Sequence, residues 1–168
     1  CVSTTNVVAS KDSKGNSVTD QTYPQAQAEV MDTFEAIAGS IVDGAGMGRD
    51  SVYMDQLISF HAYGDKFVEF NDGKMFDSEG NENNERTLFG EGLVVGGVDK
   101  FAWLGDSLNI AVYYGNVANV TFISDFDLLL APDATPFTVN SLITLLFVKT
   151  KGEWKIVHEH HSEYKPVP

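Results

Sequence analysis

The chain has 168 residues, 43% hydrophobic and 11% aromatic, which is enough to bury one sizeable core and is the usual size of a single domain. Eleven Lys and Arg against 24 Asp and Glu give a formal charge of -13, so the surface repels phosphate backbones and anionic headgroups. Nucleic-acid and membrane-surface partners are not expected on that ground. No apolar run approaches the roughly 20 residues of a membrane helix, so no transmembrane segment is expected. The single cysteine, Cys1, leaves no intrachain disulfide and no thiolate metal cluster.

Residues 1 to 22 are mostly Ser, Thr, Asn, Asp, Gly and Lys without apolar period, the composition of a flexible tail. A start at Cys1 resembles a mature bacterial lipoprotein, whose lipidated Cys would tether the chain in the cell envelope or periplasm; a chain cut upstream reads the same way. Pro24 suits a first helical turn, and Val30, Phe34, Ile37 and Ile41 make an apolar stripe ending at Gly44, Gly46 and Gly48. Asp50 is placed to cap a second helix, with Tyr53, Leu57 and Phe60 on one side.

Phe67 to Phe76 reads as a hairpin around Asn71-Asp72-Gly73. Residues 77 to 91 read as a polar loop, and Val98, Phe101 and Ala102 as a short helix after Gly96 and Gly97. From Leu108 the pattern turns to strands, over 108–114, 117–129, 137–149 and 153–163, separated by turns. Helices first and neighbouring strands after them give an α+β domain spanning 23–168, with no repeat and no second domain.

Near the C-terminus stands Lys151-Gly152-Glu153-Trp154-Lys155-Ile156-Val157-His158-Glu159-His160-His161-Ser162. This run resembles the last strand of the nuclear transport factor 2-like superfamily, in particular SnoaL-like proteins and the association domain of calcium/calmodulin-dependent protein kinase II. Asn116 to Val120 resembles the opening of an earlier strand of the same fold. The resemblance implies a cone, in which a long helix and two shorter ones close over a bent antiparallel sheet around a pocket, commonly in a dimer. It places Val157, Glu159 and His161 on the pocket side, with His161 and Leu145 where the association domain has two arginines. The superfamily includes isomerases, dehydratases, cyclases and assembly domains, so the fold does not settle function.

Strict alternation along this strand groups Glu159 and His161 on the face opposite Trp154, Ile156, His158 and His160. A Glu beside an imidazole in a partly buried site can serve as a general base. Asp125 is a further candidate, because the superfamily's isomerases place carboxylates at mid-strand. His61, Tyr63 and Asp65 stand where a pocket mouth is expected. The expected apolar wall is Phe34, Ile143, Leu145, Phe147 and Val157, and Tyr63 is a further ligand-binding residue that, like Asp125, could assist Glu159 and His161. His158 and His160 project together but lack a third ligand, so no metal is assigned. Trp154 and Ile156 are expected outward, under a partner subunit.

No Walker loop, dinucleotide fingerprint, nucleophile elbow or zincin motif occurs, and no cofactor is expected. Two functions follow. The first, slightly favoured for want of a tuned acid–base pair, is a dimeric module binding a small, largely apolar molecule. The second is a cofactor-independent isomerase, dehydratase or cyclase using Glu159, His161 and Asp125.

Overall fold

A computed structural model describes residues 20–166. Most of the expected tail therefore lies outside the described residues. The first helix, α1 (Pro24–Gly44), opens on proline and buries Val30, Phe34, Ile37 and Ile41, the stripe set by its periodicity. The second, α2 (Val52–Ser59), is capped by Ser51, whose side chain accepts from the Met54 amide at 3.3 Å, and not by Asp50. Between them the chain turns tightly: a Cβ on Gly46, at φ 71°, would lie 2.4 Å from the Val94 backbone, so only glycine fits. Among the described residues, no helix is long and apolar enough to cross a membrane.

A hairpin follows, β1 (Val68–Asn71) and β2 (Lys74–Phe76), turning through Asp72 and Gly73 at positive φ. The expected loop after it is instead helical. Helix α3 (Ser78–Glu85) is capped by Asp77 and runs into a π-helix over Arg86–Glu91. Its buried residues are Asn81 and Glu85, one turn apart, so the stripe that should announce the helix is polar.

The expected short helix around Val98 is also corrected, to the strand β3 (Leu93–Trp103). Register shifts between Leu93, Val98 and Lys100 absorb Gly96 and Gly97 as bulges rather than as a break. The remaining strands are β4 (Asn109–Tyr113), β5 (Val117–Leu130), β6 (Thr135–Val139), β7 (Ser141–Thr150) and β8 (Glu153–Glu163). Where one strand was expected over 137–149, two occur. The chain breaks at Asn140, whose side chain and the Ser141 amide both bond Ser124 at 2.8 Å.

Together the eight strands form one open sheet in the order β2-β1-β8-β7-β5-β3, with β4 and β6 also pairing with β5. The first half of β5 pairs with β4 and β7 and the second half with β3 and β6, so the sheet changes partners along its longest strand. It is mixed rather than wholly antiparallel, because β1 runs parallel to β8, pairing Glu69 with Glu159 and Asn71 with His161. The helices lie on its inward face, which carries Ala118, Val120, Phe122, Ile143, Leu145 and Phe147. This α+β arrangement is the cone that the C-terminal residues imply.

One irregularity governs the site. Leu146 pairs with His158 but Phe147 pairs with Ile156, so Val157 is an extra residue in β8. Across that bulge the alternation slips by one. Trp154 and Ile156 are therefore buried on the inward face, at 4% and 1% exposure, together with Glu159 at 4%. The expectation that Trp154 and Ile156 face outward is overturned. Val157, half-buried at the bulge, leaves the expected wall.

Candidate functional site

Between the helices and the inward sheet face lies a cavity of about 270 Å³. Phe34, Ile37 and Ile41 from α1, Phe122, Phe126 and Leu128 from β5, and Ile143 and Leu145 from β7 give it an apolar wall. Its polar residues include His61, Asn71, Asn84, Glu85, Glu159 and His161. Among the described residues, no Lys or Arg lines it.

Of the residues expected at a pocket, Phe34, Ile143, Leu145, Glu159 and His161 line this cavity, whereas Tyr63, Phe147 and Val157 do not. Phe147 is fully buried in the core. Tyr63 stacks on the His61 ring, with centroids 5.1 Å apart, and donates to Asn81 Oδ1 at 2.5 Å. Burial and the carboxylates of Glu85 and Glu159 raise its pKa, so it remains a phenol. Asp125 is corrected as a site residue. It stands on the outward face of β5 and pairs with Lys100 at 2.6 Å, because the cavity lies on the alternate face with Phe122 and Phe126. Asp65 is exposed.

Glu159 is held between two imidazoles. His61 Nε2 stands 2.6 Å from Oε1, and His161 Nε2 stands 3.1 Å from Oε2. The other His61 nitrogen, Nδ1, faces the Leu57 carbonyl at 3.1 Å. Both His61 partners are acceptors, so a doubly protonated ring satisfies both while Glu159 is ionised. Burial opposes the charge on Glu159, but the hydrogen bonds from His161 and His61 outweigh it and bring its carboxyl down to about 2. Burial likewise disfavours both imidazolium ions, and contact with Glu159 reverses the balance, raising both histidines above their ordinary range. His161 uses only Nε2 on Glu159; its Nδ1 has no hydrogen-bond partner among the described residues.

Beside this triad, Glu69 is fully buried, and its two oxygens accept from Asn71 and Asn81, each at 2.8 Å. Glu69, Glu159 and His161 bring one donor atom each within 4.8 Å of one another, the spacing of a cation site. Every carboxylate oxygen in that group already accepts a hydrogen bond, so it reads as a closed hydrogen-bonded cluster. His158 and His160 form no such pair: His158 Nδ1 donates to the Val68 carbonyl at 2.7 Å, and His160 is exposed on the outward face.

Glu85 completes the polar end. It is 8% exposed, lines the cavity, and has no hydrogen-bond or ion-pair partner among the described residues. Burial, then the charge of Glu159, push its carboxyl up to about 8, so it is largely protonated at neutral pH. Sequence reasoning missed Glu69, Asn81 and Glu85. A lone Glu in β1 and an all-polar helix carry no apolar signal, although Asn81 and Glu85 at i and i+4 do share a helix face.

Comparison with solved structures finds the same architecture. A nuclear transport factor 2-like superfamily protein from Salmonella enterica matches with a TM-score of 0.64 and 16% identity over 86% of this chain and 95% of that one. The association domain of CaMKII from C. elegans matches at 0.59 and 15%, over 83% and 96%. A protein of unknown function from Shewanella oneidensis, of the same fold, matches at 0.57 and 16%, over 84% and 100%. These identities carry the fold and nothing finer. No curated protein matches by sequence. The model of the SnoaL-like domain matches residues 58–167, which span the hairpin, α3, the whole sheet and the polar end of the cavity, and the chain therefore belongs to the SnoaL-like family.

Proposed function

We propose that this domain is a proton-transfer enzyme of the isomerase, dehydratase or cyclase kind, acting on a small, uncharged, largely apolar molecule enclosed by the cavity. The observation that carries this reading is Glu159, fixed between His61 and His161 at the polar end of a chamber walled by phenylalanine, isoleucine and leucine. His61 supplies the compensating positive charge. Glu159 acts as a positioning residue, orienting His161 through Nε2 and raising its basicity. His161, with Nδ1 uncommitted, is the general base, and contact with Glu159 outweighs burial and raises its pKa above the ordinary histidine value, which strengthens it as a base. A lining without Lys or Arg favours a neutral ligand over a carboxylate or phosphate.

The test uses 4-phenylbutan-2-one, a neutral ketone with an apolar ring, and follows exchange of its α-hydrogens in D2O by proton NMR. The wild-type protein is expected to accelerate exchange, and His161→Gln to lower the saturated rate by about 100-fold while Kd changes little. Saturable binding without exchange would leave the domain a binding module.

The active form is proposed to be a homodimer formed through the outward sheet face. Outward positions from Val68 to Phe70, Val117 to Ile123, Leu142 to Val148 and His158 to Ser162 carry no Asp, Glu, Lys or Arg. Phe70 and Leu142 on that face are 46% and 45% exposed. In a chain of charge -13, this is a face on which two copies can meet without like charges opposing each other.

A further inference from the structure

We propose that Glu85 is a catalytic general acid of this cavity, giving its proton to the carbonyl oxygen of a bound neutral ketone. The inference rests on the proton-transfer reading above and adds the second half of the chemistry. Glu85 is nine-tenths buried and borders the cavity, yet no hydrogen bond or ion pair joins its carboxyl to any other described residue. Two of its neighbours are committed elsewhere. Asn81, one turn earlier, bridges Tyr63 and Glu69, while Arg86 reaches Asp55 at 2.9 Å, Glu82 at 2.9 Å and the Arg49 carbonyl at 2.7 Å. A buried carboxyl without a protein partner is costly unless something else satisfies it, and here the open direction is the ligand space.

The charges around Glu85 decide its form. Glu159 and Glu69 oppose its ionisation, His61 and His161 favour it, and with burial the balance keeps the proton on at neutral pH. A protonated carboxyl is a hydrogen-bond donor, which Glu159, kept ionised by its two histidines, is not. Acid and base are thus separate groups in separate environments: Glu85 on α3 and His161 on β8.

The step balances within the site. His161 takes the α-hydrogen as a proton, the C–H pair becomes the C=C bond, and the carbonyl π pair moves onto oxygen. That oxygen takes the proton of Glu85, giving an enol, an imidazolium and the Glu85 carboxylate. The imidazolium exchanges its proton for a solvent deuteron and delivers it to carbon while the enol oxygen returns its proton to Glu85, which restores the ketone and both groups.

The decisive experiment measures exchange of 4-phenylbutan-2-one in D2O against pH for the wild type, Glu85→Gln and Glu85→Leu, with Kd measured for each. Both variants are expected to lose about 100-fold or more in saturated rate with Kd shifted by no more than about threefold. The fall in wild-type rate as pH rises through about 8 should be missing from the residual activity. Glu85→Gln keeps the shape and neutrality of the acid, so it serves if the leucine variant fails to fold, and retained Kd shows that the cavity is intact. Variants within about threefold of the wild-type rate, with the same alkaline limb, overturn the acid assignment and leave the His161 base standing. Absence of exchange in the wild type overturns the proton-transfer reading itself, and the acid with it.

Discussion

At the scale of single residues, the site is a problem in placing charge. Three buried glutamates share the polar end of the inward face, and only two histidines offset them. The result is an ionised Glu159 and a protonated Glu85, and stability should carry the signature of both. Between about 4.5 and about 8 the folded state holds a proton on Glu85 that the unfolded chain has released, so by linkage stability falls as pH rises through that window. His61, raised above 6.5, adds to the same alkaline loss. Glu159 works in the opposite sense, contributing above about 4.5 and losing its contribution as pH falls towards about 2. The melting temperature should therefore peak near about pH 4.5 and decline towards alkaline pH, and Glu85→Gln should flatten that decline. A Tm that rises from pH 6 to 8 in the wild type would contradict this placement of charge.

At the scale of elements, what sequence reveals depends on whether burial is apolar. The first helix and strands β5, β7 and β8 could be read because Val30, Phe34, Phe122, Ile143 and Phe147 mark their buried faces at the right period. Helix α3 buries asparagine and glutamate, so nothing distinguished it from a loop, and Glu85 was lost with it. The bulge at Val157 was equally invisible, since an extra residue in a strand has no residue-type signature; it inverted the reading of Trp154 and Ile156 while leaving Glu159 and His161 on the cavity side. Without apolar burial, α3 leans on its cap, where Asp77 Oδ1 accepts from the Gly80 amide at 2.9 Å. Asp77→Ala should cost about 1 kcal/mol in urea unfolding and weaken ligand binding by loosening the helix that carries Asn81 and Glu85. A change below about 0.3 kcal/mol would show that α3 is held by its side-chain contacts instead.

For the whole molecule, the bent sheet has two faces with different tasks. The inward face encloses the cavity, and the outward face carries no charged side chain over Val117 to Ile123, Leu142 to Val148 and His158 to Ser162. Sedimentation should report a dimer in the wild type and a monomer in the double variant Phe70→Glu, Leu142→Glu, because two copies would then present four carboxylates to one another. An unchanged dimer in that variant would move the interface elsewhere. The sequence offered a dimer for a reason the fold removes, since Trp154 and Ile156 are core residues; the uncharged outward face is a separate argument for the same assembly.

The central claim, that the cavity holds a neutral ketone between an acid and a base, is tested most directly by a crystal structure of the protein with 4-phenylbutan-2-one. The carbonyl oxygen should lie about 2.6–3.2 Å from the Glu85 carboxyl, with the α-carbon against His161 and the phenyl ring among Phe34, Phe122 and Phe126. A probe lodged with its ring at Glu159 and its carbonyl in the phenylalanine wall would contradict the account.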